Sequence, residues 1–170
     1  MVIMRKRVKD LNELALSRFV ARARGVAKLK GLVDVLVTSN TEMKSLNRRF
    51  RGKDRATDVL SFSAAADDAR KRFAGELAIS AEMAAENARA FGHPAAVEIK
   101  VLVLHGVLHL AGYDHERDGG EMARCEEELR ARLGLPPGLI GRTAHARSVN
   151  SGGAGRRETL RGRAARKTRS

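Results

Sequence analysis

Three histidines, His105, His109 and His115, fall within the run HGVLHLAGYDH. His105 and His109 are four apart, so on a helix they share one face and their imidazoles can meet a single ion. Gly112 tolerates the positive φ at which a helix ends and the chain turns back, which brings His115 toward the first two. Three neutral nitrogen donors leave the fourth position of a tetrahedral zinc open for a water or a substrate oxygen, as a catalytic site requires. On this reading the chain holds one zinc ion through His105, His109 and His115.

The spacing H-x-x-x-H-x-x-G-x-x-H is similar to the ligand pattern of the metzincin metalloproteases. Those proteases place a general-base Glu directly after the first His, where this chain has Gly106. A zinc peptidase therefore has the ligands but lacks the base, and a structural zinc would need a fourth protein ligand. Asp114 and Glu116 flank His115 and could orient an imidazole or accept a proton, or simply be loop carboxylates in water. Met122 lies where metzincins have a Met turn, but fits the core of the last helix better. His93 and His145 lack partners at ligand spacing, and Cys125 reads as a core residue.

The elements that must position these residues follow from periodicity. Residues 10–24 place Leu11, Leu14, Leu16, Phe19 and Val20 near helical spacing, with Gly25 as a stop signal. Residues 32–38 are short and β-branched, a strand. Ser39, Asn40 and Thr41 offer N-caps for a helix through Met43, Leu46 and Phe50 that ends near Arg51-Gly52. Two strands, 57–62 and 76–79, flank a polar loop at 64–72, and Ser80 caps a helix running to Phe91. Pro94 opens the next helix, 95–112, which carries the histidines and spans roughly 27 Å. Gly119-Gly120 precede a final helix with Met122, Cys125, Leu129 and Leu133 on one stripe, closed by Gly134. The fold class is α+β, a small mixed sheet packed against a central buried helix that carries the metal ligands.

A chain of 170 residues, 43% hydrophobic and 31% charged, has enough apolar surface for one core plus a tail. The apolar segment 95–112 is too short to span a membrane and contains Glu98 and Lys100. One cysteine cannot close an internal disulfide, and MVIMRKRVKD carries no apolar stretch ahead of a cleavage site, so a cytoplasmic location is expected. The net charge of +13 is uneven: residues 136–170 hold nine Lys or Arg against Glu158 alone, which makes that segment +8 and the rest +5. Such a balance points to a polyanion, RNA or DNA, as partner, the alternative being a tail that merely solubilises. The expected organisation is a folded domain over 1–140 and a disordered Arg-rich tail over 141–170, because the latter has too few apolar residues to offset its ordering entropy. One Tyr and five Phe give no aromatic interleaving for base stacking.

HGVLHLAGYDH resembles the signature of the YbeY family of bacterial ribosomal-RNA maturation factors nearly letter for letter. Residues 46–62, LNRRFRGKDRATDVLSF, are similar to the family's L-N-x-x-[FY]-R-G-K-D-x-P-T-D-V-L-S-F, and GELAI at 75–79 to its G-D-[IL]-x-[IL]. The likeness covers about residues 10–135. Departures are Ala56 for Pro, Ser63 where a Pro commonly follows, and Glu76 for Asp; none touches a metal ligand. The segment before Asp10 is shorter than usual, which leaves the family's N-terminal strand open.

The resemblance implies a zinc-dependent, single-strand-specific endoribonuclease acting in 16S rRNA 3′-end maturation and ribosome quality control. Its partners would be ribosomal RNA, the small ribosomal subunit and ribosomal proteins or other assembly factors. It implies His105, His109 and His115 as metal ligands and Arg51 as the catalytic residue across the cleft. By its position alone, without the resemblance, Arg51 reads rather as an ordinary exposed helix-end cation. Lys53 and Arg55 would add field along the RNA path. The alternatives are a ribosome-assembly factor with a mainly structural zinc, and a zinc peptidase.

Overall fold

Short β-branched segments and amphipathic helices alternate along the chain, and the computed structural model describes residues 1–64, 72–115 and 117–137. The elements are β1 (Val2–Met4), α1 (Glu13–Val26), β2 (Leu32–Thr38), α2 (Asn40–Arg51), β3 (Val59–Ser63), β4 (Phe73–Ser80), α3 (Ala81–Phe91), α4 (Ala95–Leu110) and α5 (Glu121–Leu133). They form a mixed sheet in the order β1-β2-β4-β3, in which β2 runs parallel to β1 and β4, and β3 is the antiparallel edge. The expected α+β class and the central helix are as the sequence indicates.

One sheet face carries the main core. Val33, Val35, Val37, Leu77 and Ile79 point to it, and α1 adds Leu16, Phe19, Val20 and Ala23. Helix α4 is buried along almost its whole length, from Ile99 through Leu108 with Lys100 partly exposed, which is why its pattern is apolar all round rather than striped. The opposite face is covered by α2, whose Met43 meets Leu60 and Ala78. No single helix among the described residues is long and apolar enough to cross a membrane.

Several boundaries move, for local reasons. Helix α1 begins at Glu13, not at residue 10, because the Asn12 side chain accepts the Ala15 N–H at 2.8 Å and caps it there. Leu14, two residues and so about 200° round the helix from Leu16, lies off the buried stripe of Leu16, Phe19, Val20 and Ala23 and is 62% exposed. Strand β4 is longer than expected, since its first residues pair with the start of β2. Val2–Met4 does form a strand, in register with Val35–Val37. The 64–72 loop lies mostly outside the described residues, as does all of the expected basic tail, 141–170.

Candidate metal centre

Helix α4 presents His105 and His109 one turn apart near its C-terminal end, where Ala111 ends the helix and Gly112 adopts φ 95°. That left-handed turn suits glycine and brings the chain back, so that His115 joins the first two. One ligand nitrogen from each of the three lies within 4.8 Å of the others. The cluster opens stepwise: His105 is buried, His109 half-buried and His115 exposed.

The rings are aimed by their outer nitrogens. His105 Nδ1 is 2.9 Å from Glu126 Oε2 on α5, and His109 Nδ1 is 3.0 Å from the Tyr113 carbonyl. With Nδ1–H donating in each case, both Nε2 lone pairs turn inward, where the two atoms stand 3.1 Å apart. Two ligands at ~2.0–2.1 Å from one tetrahedral ion would be roughly 3.3 Å apart, so the donor set fits a zinc-like cation. Burial first, then the neighbouring His105 and His115, lowers the pKa of His109, which favours the neutral form a metal needs.

Glu126 is 1% exposed, and Arg130, also 1% exposed, donates to its Oε1 from Nε at 2.9 Å and from Nη2. Arg130 Nη1 in turn reaches the Pro136 carbonyl at 2.7 Å. Burial alone pushes the Glu126 carboxyl up, but the hydrogen bond from His105 together with the charge and hydrogen bonds of Arg130 outweigh it and hold the group below the usual carboxylate range. Sequence reading missed this pair. The available signal was a Glu and an Arg four apart on the face of α5 that also carries Met122, Leu129 and Leu133.

Asp114 pairs with Arg117 at 3.4 Å, and Glu116 lies outside the described residues. Asp118 accepts the N–H groups of Gly120 and Met122, each at 2.8 Å, and anchors the start of α5. Cys125 is half-buried against the core. His93 stands apart, 3.1 Å from Glu98 at the other end of α4.

Gly106, in the position of the protease base, faces the sheet. A Cβ there would stand 2.6 Å from Cδ2 of buried Leu77, so a glutamate side chain has no room without displacing the core. Arg51 belongs to a different element. It sits exposed in the last turn of α2 and donates from Nη2 to the Ser61 carbonyl at 3.3 Å, on the edge strand β3 that packs against α4.

A mixed sheet backed by a buried helix that presents three convergent imidazoles defines a small α+β protein with a site able to hold a metal ion. Residues 3–134 match the family described as Endoribonuclease YbeY. The chain is 53% identical over 143 residues to Endoribonuclease YbeY of Koribacter versatilis, covering 84% of this chain and 91% of that one. It is 46% identical over 141 residues to the protein of the same name from Solibacter usitatus, covering 83% and 92%. The solution structure of TM1509 from Thermotoga maritima, 30% identical, superposes with a TM-score of 0.54 over 92% of this chain and 100% of that one. The chain belongs to the endoribonuclease YbeY family.

Proposed function

We propose that this chain is a zinc-dependent endoribonuclease that cleaves single-stranded ribosomal RNA, serving 16S 3′-end maturation and ribosome quality control in the cytoplasm. The observation that carries the reading is the convergence of His105, His109 and His115 within 4.8 Å, in a chain whose relatives are named endoribonucleases. Its partners are then the small ribosomal subunit and the proteins that assemble on it. The folded domain over 1–140 performs the cleavage, and the basic tail over 141–170 adds affinity for RNA.

His105, His109 and His115 would hold the metal. Bound there, zinc supplies Lewis acidity beside the scissile phosphodiester. Arg51 is the catalytic cation: its guanidinium stays charged at any relevant pH and offers a planar fork to two phosphate oxygens. Its bond to the Ser61 carbonyl is long, 3.3 Å, and is readily exchanged for a charged acceptor. Lys53 and Arg55, both exposed, extend the positive field along the RNA path.

The gradation from buried His105 to exposed His115 favours substrate access over a closed structural zinc. The tight contact at Gly106 argues against a peptidase, which needs a base at that position. The test is cleavage of a labelled single-stranded rRNA fragment by the wild-type protein, His109→Ala and Arg51→Ala, each shown to be folded by circular dichroism. Loss of cleavage in both variants supports the reading, and wild-type cleavage by His109→Ala refutes it.

A further inference from the structure

Behind the innermost histidine lies a buried relay of charge. Arg130 grips Oε1 of Glu126 from two nitrogens, and the other carboxylate oxygen, Oε2, takes the Nδ1 of His105 at 2.9 Å. All three side chains are shut away from water, His105 at 7% exposure and the other two at 1%. The far end is fixed too, since Arg130 Nη1 is bonded to the Pro136 carbonyl at 2.7 Å. Removing two opposite charges from water is costly, and a packed apolar pair of similar volume often serves stability as well or better. The orientation of this pair therefore calls for a reason other than stability.

We propose that Glu126, held in place by Arg130, is a positioning residue that sets the affinity of the metal centre by fixing the ring and tautomer of His105. A carboxylate accepting from Nδ1–H makes Nε2 the free lone pair and stops the ring from turning about χ2. His109 is oriented by a backbone carbonyl and His115 is exposed. Among the described residues, His105 is thus a ligand whose aim depends on a side chain from another helix. Arg130 holds the acceptor in place and pointing at His105, so its effect reaches the metal through Glu126. The inference rests on the metal reading of the histidine cluster and deepens it.

The test uses the full chain and reads metal binding, not cleavage. Zinc affinity is measured by competition with a chromogenic chelator for the wild type, Glu126→Gln and the double variant Glu126→Gln/Arg130→Met. The double variant is included because the single change leaves a buried guanidinium without its counter-charge and can unfold the protein, whereas removing both charges together leaves no unpaired charge in the core. Alongside, long-range 1H–15N spectra of the metal-free proteins report the His105 tautomer. Zinc affinity is expected to fall about 10–100-fold in the folded double variant, with His105 passing from one tautomer to a mixture. Wild-type affinity and an unchanged tautomer in that variant overturn the positioning role while leaving the metal site intact. Absence of zinc binding by the wild type overturns the metal reading and the inference with it.

Discussion

Nε2 of His105 faces Nε2 of His109 across 3.1 Å, and the outer nitrogen of each ring is engaged elsewhere. Two lone pairs so placed repel one another unless a cation lies between them. The first expectation is therefore one zinc per chain in untagged protein by elemental analysis, and its loss in His105→Ala. A zinc content unchanged by His105→Ala would sink the site.

Proton competition gives the sign of the pH dependence. Ligand imidazoles must be neutral, free histidine titrates near ~6.5, and His109 is lowered below that by burial and by its two neighbours. A lowered pKa means that His109 stays neutral to lower pH than a free imidazole. Zinc affinity should hold level well above ~6.5 and fall as the pH drops through and below that value. Chelator competition between about pH 7.5 and about pH 5 measures this, and a flat profile contradicts it.

Restoring the protease pattern should damage the fold without creating a peptidase. In Gly106→Ala the added methyl meets Leu77, so overpacking of about 1–3 kcal/mol opposes the ~1 kcal/mol that alanine gains in a helix. Gly106→Glu adds a buried carboxylate to the same clash and should be far worse. Urea midpoints rank the three proteins. A Gly106→Glu variant as stable as the wild type would mean that α4 and β4 part more easily than their packing indicates.

The histidine triplet was legible because helical spacing and a turn glycine are local properties, and all three ligands lie within one short stretch of chain. The sheet order was not, since nothing local tells β3 to take the edge beside β4. Glu126 was hidden for a related reason. Its partner His105 lies 21 residues away on another helix, and a Glu on an amphipathic helix ordinarily belongs to the wet face. Leu14 shows the reverse error: hydrophobicity suggested burial, but Leu14 stands about 200° round the helix from Leu16, and burying the stripe of Leu16, Phe19, Val20 and Ala23 turns it outward.

Arg51→Ala should lower cleavage without lowering zinc content. A charge-assisted hydrogen bond to phosphate is worth about 1.5–3 kcal/mol, so the loss in rate should be roughly 10–150-fold. Arg51→Lys should recover only part of it, because an ammonium cannot present the fork. The side chain is exposed and makes one long bond to Ser61, so thermal midpoints should not move. Equal cleavage by Arg51→Ala and the wild type would remove Arg51 from the catalytic site.

Deleting residues 141–170 takes nine Lys or Arg and one Glu from the binding field. Cations held against phosphates keep a protein on RNA but carry no base information, so the truncated chain should bind more weakly and still cut at the same nucleotides. Each single-strand phosphate that the tail no longer neutralises makes the log–log salt dependence of binding shallower by about 0.7. The measurement is RNA affinity across a salt series for both proteins, with cleavage sites mapped on one labelled fragment. New cut positions would assign site selection to the tail, whereas an unchanged slope would show that the tail never touches RNA and serves solubility alone.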